Sequence, residues 1–132
     1  MIVDTNVLLR ALDGSTGSQA QAVRRRVETA RATGAKLTVL AATVLEVAFV
    51  FESARAGYGW GRDDVARAVE AIVDEPAFDV EHGDALVDAA TTYRMRSIDL
   101  HDCFLGAVAD RRGTRVLSFD ADLRKLGVSE KP

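Results

Sequence analysis

The spacing of hydrophobic and polar positions changes several times along the chain, and each change predicts an element. Met1 to Asp4 is too short for a helix and reads as a buried strand that enters a helix at Asn6. From Ser18 to Thr33 apolar residues are sparse and charges dense, which predicts a surface helix stopped at Gly34. Leu37 to Leu40 is a second apolar run of strand length, feeding a strongly apolar helix from Ala42 to about Ala56. "GYGWG", Gly57 to Gly61, breaks that helix, and Arg62-Asp63-Asp64 starts another that runs to about Asp74. Phe78-Asp79-Val80 alternates like a short strand. Helices follow at Gly83 to Arg96 and Asp99 to Arg112, the second closing at Gly113. Arg115 to Phe119 is a further strand, and Ala121 to Leu126 a last short helix ending at Gly127. Apolar strands alternating with helices imply an α/β fold whose mainly parallel sheet is covered on both faces.

Composition narrows the picture only modestly. A chain of 132 residues, 48% hydrophobic and 28% charged, is expected to form one domain, residues 1–132, with room for a real core. The longest uncharged apolar run, Leu37 to Leu45, is far short of a membrane span. No basic segment leads into an apolar stretch at the N-terminus, so no secretion signal is read. Cys103 is alone, cannot pair within the chain, and fits a reducing cytoplasm. The net charge of −3 makes the molecule as a whole no electrostatic magnet for nucleic acid. Only Lys36, Lys125 and Lys131 among the 17 basic residues are lysines. The arginines cluster at Arg24-Arg25-Arg26, at Arg94 with Arg96, and at Arg111-Arg112 near Arg115. Such clusters suit either solvated helix faces or a grip on phosphates.

Four acids stand where the pattern calls for something else. Asp4 follows the first strand, at the carboxyl end where ligand sites of α/β sheets gather, although a helix N-cap would also use it. Glu46 is the only charge between Leu37 and Phe51, on a narrow stripe with Ala42 and Ser53 bordered by Thr43 and Val50. A buried carboxylate there needs an arginine, a cation or a cleft. Asp102 lies on a helix that Leu100, Phe104, Leu105, Ala107, Val108 and Ala109 mostly wrap, leaving a gap of Asp99, Asp102, Gly106 and Asp110. Dipole complementation and capping account for Asp99 better than for Asp102. Gly106 costs the helix roughly 1 kcal/mol against alanine, tolerable where another backbone comes close. Asp120 repeats the strand–acid–helix order of Asp4, with the Ser118 hydroxyl beside it and capping again the alternative role.

Like-charged carboxylates converge only if some take up protons or a cation sits among them. Oxygen ligands suit Mg²⁺ or Mn²⁺, and the chain lacks the Cys and His of a zinc site; His82 and His101 read as surface residues. The natural chemistry of such a cluster is metal-assisted phosphodiester cleavage, one ion activating water and a second stabilising the leaving oxygen.

These residues resemble the PIN-domain nucleases and, in size and layout, the VapC-type toxins of bacterial toxin–antitoxin pairs. The matching motifs are Asp4-Thr5-Asn6 after the first strand, Glu46 on the helix after the second, Asp102 in "DLHDCFLGAVA", and Ser118-Phe119-Asp120. The resemblance covers essentially the whole chain. It implies a three-layer α/β/α sandwich about a central, mainly parallel sheet of four to five strands. It further implies an endoribonuclease with Asp4, Glu46, Asp102 and Asp120 around Mg²⁺ or Mn²⁺. Asn6 and Ser118 would orient water or steady the acids, Thr5 would support them, and Asp99 would stand in an outer shell. A homodimer, an antitoxin partner, and a tRNA, rRNA or other structured RNA substrate are implied in the same way. The stretch from Phe49 through Tyr58 and Trp60 is the expected partner surface, although Trp60 could equally plug the core. Ser118 stands where threonine is commoner, which keeps the hydroxyl, and "FDADL" puts Asp122 and Leu123 where the family often has an aromatic, so that Asp122 could compete as a ligand.

Three other readings compete. A phosphotransfer enzyme with an aspartate nucleophile would want a second Asp where Asn6 stands and a Lys after a late strand. A PIN-like module with a silent site would serve as an RNA or protein scaffold. A housekeeping RNA-processing nuclease would share every motif with a toxin.

Overall fold

A computed structural model describes residues 1–132 and contains seven helices and four short strands. In chain order these are α1 (Thr5–Leu12), α2 (Ser18–Thr33), β1 (Leu37–Val39), α3 (Ala41–Glu52) and α4 (Arg62–Asp74), then β2 (Phe78–Val80), α5 (Gly83–Met95), α6 (Leu100–Arg111), β3 (Val116–Leu117), α7 (Ala121–Lys125) and β4 (Ser129–Glu130). Helices and parallel strands together make an α/β fold.

The strands are shorter than the sequence suggests, and hydrogen bonds join them into two separate parallel pairs, β1–β2 and β3–β4. The Met1–Val3 segment lies along the free side of β1. Val3 N–H donates to the Thr38 carbonyl at 2.9 Å, and Thr38 N–H donates to the Met1 carbonyl at 2.9 Å. This contact amounts to one parallel bridge, Ile2 to Thr38, rather than a full strand. The expected sheet of four to five strands is therefore not what these bonds build. Two-residue strands such as β3 supply too few ladder bonds to extend a sheet, and Leu117 and Ile2 are left exposed.

The core lies where α3, α4 and α5 pack on one another and on the β1–β2 pair. Val39, Val44, Val47, Phe51, Val65, Val69, Ile72, Leu86 and Tyr93 are almost wholly buried there. Each large apolar side chain contributes about 1.5–3 kcal/mol relative to exposure. α3 starts from Leu40, which has no side-chain acceptor, so a distant residue supplies one: Glu81, just past β2, accepts from Ala41 N–H at 3.1 Å. α2 stops because Gly34 adopts φ 73°, a left-handed conformation that costs glycine nothing.

α3 ends at Glu52, earlier than its helix-forming continuation Ala54-Arg55-Ala56 predicts. Beyond it the chain folds back: Tyr58 and Gly59 N–H donate to the Ser53 carbonyl, and Trp60 N–H to the Phe51 carbonyl at 2.7 Å. The reversal lays Trp60 flat on Phe51, ring centroids 3.8 Å apart, with Tyr58 edge-on to both. The Tyr58 hydroxyl donates to Asp13 at 2.8 Å. Tyr58 and Trp60 are thus a lid on the core rather than the exposed aromatics expected of a partner surface. Of the large apolar side chains in that stretch Phe49 alone is strongly exposed, at 72%.

Arg62, at the start of α4, bolts the next two helices together. Its Nε donates to the Tyr93 carbonyl at 2.8 Å and a terminal nitrogen to the Ile98 carbonyl, while the guanidinium lies 3.8 Å from the Tyr93 ring centroid. The loop it holds, ending at Asp99, delivers α6. No helix is long and apolar enough to cross a membrane.

Candidate metal centre

The acids fall into two groups. In the first, Asp4 caps α1, one carboxylate oxygen accepting from Val7 N–H at 3.1 Å. The next residue, Thr5, donates its hydroxyl to Glu46 Oε2 at 2.7 Å and so ties the head of α1 to the middle of α3. Glu46 is exposed, and its helix face opens to solvent at Ala42, Glu46 and Phe49, while Val44, Val47, Ala48 and Phe51 are buried behind it. The burial expected of Glu46 from its apolar run is not found: the carboxylate lies on an open face in solvent, with Thr5 as its hydrogen-bond partner.

The second group forms around α6. Carboxylate oxygens of Asp102, Asp120 and Asp122 lie within 4.8 Å of one another. Asp102 is half-buried and holds its proton to higher pH than an ordinary carboxyl. Burial is the larger cause, and the negative charges of Asp120, Asp99 and Asp122 add to it, against a smaller opposing effect of His101. Asp120 caps α7, accepting from Asp122 N–H at 2.7 Å, and this turn swings the Asp122 carboxylate round beside it. Ser118 Oγ accepts from Asp120 N–H at 2.9 Å and fixes the strand exit. Asp99 occupies the N-cap position of α6 without a side-chain capping bond, so its expected capping role is positional only.

Gly106 sits buried beside this group, and its expected reason is corrected. A Cβ there would lie 3.1 Å from Val128 Cγ2 and 3.4 Å from Leu126 Cδ1. Side chains of the α7–β4 segment, not a backbone, need the space. The predicted stripe of α6 is accordingly not an open strip: Gly106 is covered and Asp102 half-covered, whereas Asp99 and Asp110 are exposed.

Asp4 and Glu46 stand outside the close trio, and the Asn6 side chain makes no hydrogen bond. Asp122, ranked in the sequence only as a competitor, is inside it. Its clue was spacing: an acid two residues beyond a capping Asp shares the first turn of the helix. His82 and His101 are both exposed, as their isolation suggested.

The donor set fits a divalent cation. Ion pairs elsewhere engage Asp63, Glu70, Glu75, Asp84, Asp88 and Glu130, but no lysine or arginine pairs with Asp4, Glu46, Asp99, Asp102 or Asp120. Within the trio only Asp122 has a cationic partner, Lys125 at 3.0 Å. Oxygen-only donors that repel one another suit Mg²⁺ or Mn²⁺. The arginine clusters, by contrast, are largely occupied. Arg94 pairs with Asp63 and Glu70, Arg111 with Asp84 and Asp88, and Arg24 donates to the Ser15 carbonyl.

An acid capping α1, joined through Thr5 to an acid-bearing helix, and three further carboxylates gathered where α6 meets α7 make an oxygen-rich donor set of the kind a hydrolase can use. The chain belongs to the PIN domain family, whose model matches residues 1–128. It is similar to the VapC ribonuclease of Aquifex aeolicus (strain VF5), with 30% identity over 127 residues that span 96% of this chain and 91% of that protein. No solved structure matches the chain.

Proposed function

We propose that this protein, as a single PIN domain over residues 1–132, is a metal-dependent endoribonuclease that hydrolyses RNA phosphodiester bonds. Its role is that of the toxin of a VapBC-type pair, inhibiting translation and growth in the cytoplasm until an antitoxin protein binds. The observation that carries the reading is the gathering of acids, with Asp4, Glu46, Asp102 and Asp120 all without basic partners, in a family member similar to a VapC ribonuclease.

Asp102, Asp120 and Asp122 would hold a Mg²⁺ or Mn²⁺ ion, with Asp4 and Glu46 completing the acidic face. The ion would supply charge neutralisation at the scissile phosphate and lower the cost of water attack. Thr5 fixes the Glu46 carboxylate, Ser118 fixes the turn carrying Asp120, and Asp99 adds negative charge at the rim. Asn6, free of other bonds, is available to orient water or RNA. A homodimer and a tRNA, rRNA or other structured RNA substrate belong to the same reading.

The test is cleavage of labelled total RNA by purified protein in Mg²⁺, Mn²⁺ or EDTA, beside Asp4→Asn and Glu46→Gln. Cleavage that needs metal and disappears in both variants supports the nuclease. A folded, partner-free protein that cuts nothing with any metal would make the chain a scaffold instead.

A further inference from the structure

A groove of about 450 Å³ starts at Asp4 and runs along α1 toward α2, lined by Asp4, Asn6, Val7, Arg10, Gln19 and Val23. Three of its side chains, Asn6, Arg10 and Gln19, carry N–H donors, and none of these makes a hydrogen bond or ion pair within the protein. That sets Arg10 apart from Arg24, Arg31, Arg94 and Arg111, all held by partners. The nearby acid that could have claimed it, Asp13, is already engaged. Asp13 accepts from Ser15 N–H and Oγ and from the Tyr58 hydroxyl, and Arg10 acts on it through its charge without a hydrogen bond or ion pair. Burial alone would raise the Asp13 carboxyl, but those hydrogen bonds and the Arg10 charge bring it below its ordinary value. Arg10 therefore faces the groove as a half-buried cation with its donors unspent.

We propose that this groove is an RNA-backbone subsite in which Arg10, assisted by Asn6 and Gln19, holds a phosphate on one side of the cleavage point. The inference rests on the nuclease reading above and adds to it the direction in which the strand leaves the acids. Arg10 lies about 9 Å from Asp4 along the helix, at 1.5 Å per residue. That span matches roughly two to three stacked nucleotides at 3.4 Å each. A strand crossing the acidic face needs cationic and amide donors beyond it, where repulsion from the carboxylates fades, and this groove supplies them. Arg10 is a positioning residue here, with no part in the bond-breaking step.

The experiment measures binding of a fluorescein-labelled single-stranded RNA by anisotropy in Ca²⁺, with the RNA checked intact by gel, from low to moderate salt. Wild type, Arg10→Gln, Arg10→Lys, Gln19→Ala and Arg25→Gln are compared, Arg25 being exposed, unpaired and outside the groove. Arg10→Gln is expected to weaken binding roughly tenfold, as for loss of a charged hydrogen bond. It should also reduce the salt slope by about 0.7, the value for one phosphate contact on a single strand. Arg10→Lys should restore the slope and Arg25→Gln should leave it unchanged. In Mg²⁺ or Mn²⁺, Arg10→Gln should raise KM and spare kcat. Unchanged affinity and slope in Arg10→Gln, or an equal loss in Arg25→Gln, would overturn the subsite and leave the groove to a protein partner. Wild type that fails to bind overturns it too. Wild type that cuts nothing, while Arg10→Gln still loses affinity and slope, would keep the subsite and remove the nuclease.

Discussion

Removing the Arg62 side chain tests the claim that one guanidinium positions α6. Three interactions go at once: the bonds to the Tyr93 and Ile98 carbonyls and the stacking over the Tyr93 ring. A hydrogen bond from a charged donor to a half-buried carbonyl is worth about 1–1.5 kcal/mol when water can partly replace it. The cation–π contact adds about 0.5–1 kcal/mol at such a site. Arg62→Ala should then cost about 2.5–4 kcal/mol, a fall of roughly 10–16 °C in Tm for a chain of this size. Arg62→Lys keeps a charge near the ring, but a point-like ammonium cannot span two carbonyls, so about half the loss should remain. Urea unfolding followed by circular dichroism reads this as a lower midpoint at unchanged slope. Because Ile98 directly precedes Asp99, the variant should also bind Mn²⁺ more weakly well below its Tm. A stability loss within the roughly 0.5 kcal/mol of an ordinary surface change would refute the bolt.

Thr5→Val keeps the shape and removes the hydroxyl that holds Glu46, so cleavage should fall about tenfold, the range for outer partners of metal sites; rates in saturating Mn²⁺ check it. In EDTA the folded chain retains a proton on Asp102 to higher pH than the unfolded chain, so this carboxyl is harmless below the ordinary carboxylate range and weakens the fold above its raised value. Asp102→Asn should therefore raise Tm at pH 7 but not at pH 3, and equal Tm gains at both would contradict this account. Gly106→Ala sets about 1 kcal/mol of helix propensity against 1–3 kcal/mol of crowding by Val128 and Leu126. A net loss of about 1 kcal/mol follows, and a gain in Tm would show that Val128 gives way.

Helix positions were readable because their stops are local. Gly34 follows α2, Gly61 precedes α4 and Gly113 follows α6, each within a residue or two of the helix end. The end of α3 was not readable, since Ala54-Arg55-Ala56 favours helix and only the stacking of Trp60 on Phe51, a contact across the turn, pulls the chain away. β4 escaped notice because two residues show no alternation, and its register with β3 depends on how α7 packs over α6. The candidate acids stood out as charges in apolar surroundings, a local property. Which of them meet is a matter of tertiary geometry: Asp122 joins Asp102 through the α7 turn, while Glu46 goes to Thr5, 41 positions away. The lysine-poor, arginine-rich composition likewise hid which arginines were free, because pairing partners such as Asp63 and Asp88 lie on other helices.

The stack of Trp60 on Phe51 gives the molecule a built-in optical gauge. Trp60 is the only tryptophan, and it rests against the last turn of the helix that carries Glu46. A ligand that changes the packing of Trp60 on Phe51 should change indole emission, an outcome readable without a label. Tyr58, edge-on to both rings, ties the same gauge to α1 through Asp13. Both helices that meet at the Thr5–Glu46 bond thus report to a single chromophore.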